Sequence, residues 1–321
     1  MSDNVSPTVL YISLEPKTKA DEQKLGHGLQ ALTAEDATFR FQADQQTGQV
    51  IIAGAGELHL EIILDRLKRE FGVEASVGKP QVAFKEALTR SADGDMRFVK
   101  QAGGRGQYAH CKIRVYPVEP GSGCVFENRI VGGAIPKAFI TSIDEGIKEA
   151  LGRGALAGYP IDDVRVELCD GSYHEVDSSE SAFRIAGSMA FQDAAKKARP
   201  VLLEPMMRLE VRVSMDQTDE VIADLRSRRG EIQAQEKGGG MEIIHARVPL
   251  SKMLGYATDL RSRTQGRATY SMYFDRYDPR RPDNAEGPDD PMVRELNRPM
   301  RPSKGSKVAL PEPNVDNDEM G

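Results

Sequence analysis

The chain has 321 residues, of which 39% are apolar and 29% charged, with a formal net charge of -6. That length holds two or three domains with cores of their own, and no run approaches the roughly 18 apolar residues of a membrane span. Cys111, Cys124 and Cys169 form no C-x-x-C pair and the five histidines show no ligand spacing, so a disulfide framework and a zinc site are both unsupported.

The opening Met1-Ser-Asp-Asn-Val-Ser-Pro7 is polar and lacks the basic and apolar regions of a signal peptide, which makes the cytoplasm the expected compartment. Val9 to Leu14 is rich in strand formers. Thr18-Lys-Ala-Asp21 then starts a helix with Leu25, Leu29 and Leu32 on one face. Thr38 to Ala43 and Gln49 to Ala53 read as a hairpin. Glu57 to Phe71 reads as a helix striped by Leu60, Ile63, Leu64, Leu67 and Phe71, with Lys68 and Arg69 in its last turn and Gly72 beyond. With Val73 to Val77 as a closing strand, two helices on a four-stranded sheet predict a ferredoxin-like domain over residues 1–79.

The second segment, residues 80–203, predicts strands at Gln81 to Ala87, Arg97 to Gln101, His110 to Val118 and Cys124 to Asn128. A helix follows from Pro136 to Leu151, then a strand from Val164 to Leu168, and Asp177-Ser-Ser-Glu180 is expected to cap a helix reaching about Arg199. The third segment, 204–277, repeats the layout of the first. Met207 to Val213 alternates as a strand, Asp219 to Arg229 is helical, and Gly238-Gly-Gly240 splits a hairpin between Glu231 to Glu236 and Met241 to Val248. Ser251 to Arg261 is again helical, and Ala268 to Phe274 is the last strand. From Arg276 onward eight of the chain's 18 prolines occur and no apolar period survives, so 278–321 is expected to be a disordered tail.

Function-bearing chemistry concentrates between Arg97 and Lys112. No Asp or Glu occurs from Met96 to Val118, whereas Arg97, Lys100, Arg105, Lys112 and Arg114 are basic. Gly103, Gly104 and Gly106 interrupt the strand-like run, as at a hairpin tip where N–H groups approach phosphate, Arg105 offers forked donors and Tyr108 a flat face. The same stretch also fits a plain glycine-rich turn with a solvated basic face. A second loop, Asp170 to Val176, places Tyr173 and His174 ahead of a helix N-terminus, where anions are favoured and ordinary turn residues are also common.

No enzyme site emerges. Gly72-Val-Glu-Ala-Ser-Val-Gly-Lys-Pro80 has one residue too many for a P-loop and Pro80 where a hydroxyl must stand, and no G-x-S-x-G or dinucleotide fingerprint occurs. Non-enzymatic binding is the expectation.

Six strings in register then carry a resemblance: Glu15-Pro-Lys-Thr-Lys-Ala-Asp21, Gly54-Ala-Gly-Glu-Leu-His-Leu-Glu-Ile62, Lys68-Arg-Glu-Phe71, Val77-Gly-Lys-Pro-Gln-Val82, Gly103-Gly-Arg-Gly-Gln-Tyr108 and Gly171-Ser-Tyr-His-Glu-Val-Asp-Ser-Ser179. Together they resemble bacterial elongation factor G over its last three domains. The resemblance implies an α+β chain in which two ferredoxin-like domains flank a middle domain of the ribosomal-protein-like fold. It implies a ribosome-binding protein that promotes translocation of tRNA and mRNA, with the middle domain reaching the small-subunit decoding region and the third lying near the GTPase-associated centre of the large subunit. The RNA-contacting residues it implies are Lys100, Gly103, Gly104, Arg105, Gly106, Gln107, Tyr108, His110, Tyr173 and His174 at the tip, and Arg226, Arg228 and Arg229 in the third domain.

The family's GTP-binding domain has no counterpart here, so the chain is expected to hydrolyse no GTP and to hold no cofactor. GTP and Mg would belong to the missing N-terminal domain, and the chain reads as a fragment, a truncated gene product or one half of a split factor whose partner is a separate GTPase half. Ala109 and Glu175 stand where the family usually has Gly and Asp, and Ala109 is expected to stiffen the first loop. A recycling or ribosome-protection factor of the same build, and a GTPase-independent RNA-binding protein, are the alternative readings.

Overall fold

Residues 8–43, 50–101 and 106–281 are described by the structure, a computed structural model. The first domain runs β1 (Leu10–Pro16), α1 (Lys19–Glu35), β2 (Arg40–Ala43), β3 (Val50–Gly54), α2 (Glu57–Phe71) and β4 (Ala75–Val77). Its first helix starts where the Asp21 amide donates to the Thr18 hydroxyl oxygen at 3.1 Å while that hydroxyl donates back to the Asp21 carboxylate at 2.6 Å. Leu25, Leu29 and Leu32 from α1 and Leu60, Ile63 and Leu67 from α2 are buried, as their spacing requires. The sheet order β2-β3-β1-β4 is ferredoxin-like.

Two short strands follow, β5 (Gln81–Val82), paired with β1, and β6 (Lys85–Ala87). The middle domain then runs β7 (Ala92–Lys100), β8 (Gln107–Pro117), β9 (Cys124–Asn128), α3 (Lys137–Arg153), β10 (Val164–Ser172) and α4 (Glu180–Lys197). Its sheet has the order β7-β8-β10-β9, antiparallel except for β9 and β10, which α3 connects as a parallel crossover. Small residues let the layers approach: a Cβ on Gly146 of α3 would overlap the Arg184 carbonyl of α4, and one on Gly94 of β7 would overlap that of Ala190. This topology brings the last residues of β7, β9 and β10, the first of β8, and the starts of α3 and α4 to one end of the domain.

The third domain runs β11 (Val201–Ser214), α5 (Thr218–Ser227), β12 (Glu231–Gly238), β13 (Met241–Pro249), α6 (Tyr256–Arg263) and β14 (Thr269–Pro279). Its order β12-β13-β11-β14 repeats that of the first domain. The helix expected from Ser251 to Arg261 is instead a single 3-10 turn, Leu250–Lys252, and a separate α6, with Gly255 between them at φ 76°. The last strand runs to Pro279, past its expected end at Phe274. The expected disordered tail lies outside the described residues from 282 onward.

Gln81 to Ala87 is not one strand of the middle domain but a stitch between its neighbours, because β5 extends the first sheet and β6 pairs with β11 of the third. The first and third domains share one continuous apolar cluster, whereas the middle domain has its own, around Phe183 and Phe191. At the joint, the fully buried Glu86 carboxylate accepts backbone N–H bonds from Ala155, Leu156, Ala157 and Tyr159 at 2.7 to 3.1 Å. Four fixed donors satisfy this buried charge, which without them would be costly to bury.

Candidate nucleic-acid interface

The two loops singled out in the sequence meet at the shared end of the middle domain. β10 does not stop at Leu168: after an irregularity at Cys169 it continues to Ser172, with Gly171 opposite Cys111 and Ser172 opposite His110. The second loop therefore leaves the sheet beside the start of β8. A clasp then joins it to the first loop. The Tyr108 amide donates to the Asp177 carbonyl at 2.9 Å. The Ser178 hydroxyl donates to the Tyr108 carbonyl at 2.8 Å and accepts from the His174 amide at 2.9 Å. Gly106 lies against the same place, since a Cβ there would stand 3.0 Å from the Asp177 carboxyl carbon.

His174 is the exposed member of this cluster, with 57% of its side chain accessible. Its Nδ1 accepts from the Val176 and Asp177 amides at 3.4 and 3.3 Å. Nδ1 also lies 3.3 Å from Asp177 Oδ2, a contact that would call for a proton on the same nitrogen. The two backbone donors are fixed, so in the neutral ring Nδ1 is the acceptor and Nε2–H is left for a ligand. Tyr173 is 42% exposed and offers a ring face. Tyr108 is half-buried, its ring 6.5 Å from that of His174 and its hydroxyl 2.7 Å from Ser172 Oγ, so it serves as scaffold beneath the loop more than as an open stacking face.

His110, expected at the RNA face, is only 8% exposed. Its Nε2 donates to Asp95 at 2.8 Å and its Nδ1 faces Ser172 Oγ at 3.1 Å, which completes a relay from Tyr108 through Ser172 and His110 to Asp95. The His110 hydrogen bond, reinforced by Lys112, holds the Asp95 carboxyl below its ordinary range. Ala109 is fully buried in β8 opposite Phe98, so it belongs to the strand and not to the loop it was expected to stiffen.

The basic run is largely neutralised through space. Arg114 forms a two-pronged pair with Asp93 at 2.5 and 2.9 Å, which draws the Asp93 carboxyl below its usual range, and Lys112 stands 3.7 Å from both Asp95 and Asp170. What remains toward the tip is Arg97 and Lys100, both exposed and in no ion pair among the described residues, with half-buried Gln107 opposite Lys100. Gly103, Gly104 and Arg105 lie outside the described residues.

In the third domain, Arg226 is exposed at the end of α5 without an ion pair among the described residues. Arg228 is turned inward, 14% exposed, bonded to Asp224 at 2.9 Å, Asp259 at 2.5 Å and the Lys252 carbonyl at 2.8 Å, over the Tyr256 ring. Arg229 reaches the buried Glu204 at 2.8 Å. These two arginines, expected at an RNA surface, are fastenings of the domain. Asp177 and Ser178 of the clasp show in the sequence only through the Asp-Ser-Ser run, which reads as a helix cap, yet only Ser179 caps α4, accepting from the Ala182 amide at 3.3 Å; Ser172, beneath the Tyr108 hydroxyl, carries no local signal.

Comparison with known proteins bears on all three domains. The family model described as Elongation factor G, domain III, matches residues 5–79, that for domain IV matches 80–199, and that for the Elongation factor G C-terminus matches 201–287. A crystal structure of a protein from Thermus thermophilus is similar with a TM-score of 0.66 at 38% identity, over 91% of this chain and 43% of that one. The chain thus spans less than half the length of that solved relative.

Proposed function

The chain belongs to the elongation factor G family, whose third, fourth and C-terminal domains it carries, and from that premise we propose that it acts on the ribosome as the translocating arm of such a factor. In this reading the clasped loops of the middle domain enter the small-subunit decoding region and contact tRNA and mRNA. The third domain lies near the GTPase-associated centre, with the exposed Arg226 turned toward ribosomal RNA. GTP hydrolysis belongs to other domains of the family, and the three domains of this chain contribute shape and charge. The mechanism is mechanical: a wedge whose two loops cannot separate without breaking the Tyr108, Asp177 and Ser178 bonds transmits motion of the remaining factor to RNA.

The observation that carries this reading is the clasp itself, which holds His174 exposed beside Tyr108 at the start of β8. Cosedimentation with ribosomes whose A site is empty tests it. Arg105→Ala with His174→Ala is expected to weaken binding about tenfold and to make its salt dependence shallower by about 0.7 for each phosphate no longer neutralised. Unchanged affinity and slope would remove the tip from RNA recognition.

A further inference from the structure

The chain crosses between the middle domain and its neighbours twice, between β6 and β7 and between α4 and β11, and the two crossings lie side by side. The Thr89 amide and hydroxyl donate to the Ala198 and Arg199 carbonyls at 3.2 and 2.8 Å, and the Arg90 guanidinium donates to the Lys197 carbonyl at 2.7 and 2.9 Å. These bonds join one crossing to the other. By themselves they make a hinge, since a few adjacent connecting residues can turn together.

A third attachment removes that freedom. Glu86 sits on β6, whose backbone pairs with β11 of the third domain, while its own amide donates to the Pro160 carbonyl of the middle domain at 2.8 Å. Residues 154–159, between α3 and β10, wrap its side chain: Oε2 accepts from the Ala155 and Leu156 amides at 2.7 and 2.9 Å, and Oε1 from the Ala157 and Tyr159 amides at 2.7 and 3.1 Å. Tyr159 then sends its ring to Phe84, 5.3 Å between centroids, in the apolar cluster of the first and third domains. Gly154 closes the wrap at φ 65°, where a Cβ would overlap the Tyr159 carbonyl and stand 2.6 Å from Glu86 Oε1.

The donor count selects a carboxylate. Each oxygen takes two N–H groups, so an amide of the same size would turn its own NH2 against two of them. The neighbouring pair of Lys85 with Asp162 is partly exposed and contributes little. We propose that Glu86 is a positioning residue: its carboxylate converts a two-crossing hinge into a fixed joint and so sets the direction in which the tip of the middle domain points. It acts through residues 154–159 and touches no ligand. The consequence for ribosome binding rests on the translocating-arm reading, whereas the joint itself does not.

The test measures distances between paired spin labels in the full chain with Cys124→Ser and Cys169→Ser; buried Cys111, its thiol pushed up to about 12, stays unlabelled. One pair spans the joint, Leu58→Cys on α2 with Val131→Cys at the tip end, both well exposed, and a reference pair, Val131→Cys with Lys148→Cys, lies within the middle domain. With Glu86 present, both pairs are expected to give one narrow distance. Glu86→Gln is expected to lose the narrow distance across the joint and keep the one within the domain, and Gly154→Ala, which forces a methyl against Glu86, to do the same. A distance across the joint that stays narrow in Glu86→Gln overturns the proposal. Broadening of both pairs also overturns it, by making Glu86 part of the middle domain's own fold. On ribosomes with an empty A site, Glu86→Gln is expected to bind about tenfold more weakly, since only a fraction of its arms point correctly. Unchanged affinity beside a broadened joint overturns the positioning role. Failure of the unsubstituted chain to bind overturns the translocating-arm reading instead, and the joint is then decided by the distances.

Discussion

Two stretches of this chain read alike as basic clusters, Arg97 to Arg114 and Arg226 to Arg229, and folding treats them differently. In the third domain the cluster is consumed inward: Arg228 bridges α5 to Asp259 of α6 and Arg229 reaches Glu204 of β11, which leaves Arg226 without an ion pair among the described residues. In the middle domain the neutralising carboxylates, Asp93, Asp95 and Asp170, stand along the strands, so pairing cancels the base of the hairpin and leaves charge toward its tip. A run of cations in sequence is therefore no measure of a positive surface, because its field depends on carboxylates delivered by other strands.

The strongest way to break this comparison is Arg228→Ala. It should lower unfolding stability by about 3 kcal/mol in urea titrations, since it strands the buried Asp224 with only Arg263 near, at 3.4 Å, among the described residues. Arg226→Ala should stay within about 0.5 kcal/mol. A similar cost for both would mean that Arg228 is not a fastening. Next in size, His110→Ala should cost about 1.5 kcal/mol by cutting the relay, whereas the exposed His174→Ala should leave the melt unchanged and weaken ribosome binding instead. The reverse pattern would exchange their roles.

A finer contrast separates cations within the hairpin. Lys100→Ala should reduce the salt slope of ribosome binding by about 0.7 to 0.9, the share of one phosphate, and Lys112→Ala by clearly less, because Asp95 and Asp170 already share that charge. Equal slopes would place both lysines on RNA. The smallest effect is in acid. The Asp95 carboxyl titrates below its ordinary value because His110 and Lys112 favour its charged form, so its contribution is complete above about pH 4 and is lost as pH falls through the lower folded value. Asp95→Asn, which removes that charge, should lower the melt slightly at pH 7 and flatten its fall below about pH 4, where the two proteins converge.

Much of the architecture was legible in advance. Leu25, Leu29 and Leu32, the stripe on α2 and the alternation of Met207 to Val213 announce elements because backbone periodicity is local, and Thr18 with Asp21 marks a helix start for the same reason. Tyr173 and His174 were also legible as an exposed loop ahead of a helix. The division of Gln81 to Ala87 between two sheets was not, because edge pairing depends on which strands arrive alongside. Nor was the role of His110: Asp95 and Ser172 lie 15 and 62 residues away in sequence. Periodicity along the chain determined the helices, the strands and the repeated ferredoxin-like plan. Tertiary structure alone decided which charges remain for a ligand, because desolvation and Coulomb energy depend on distance through space, and folding sets residues far apart in sequence side by side.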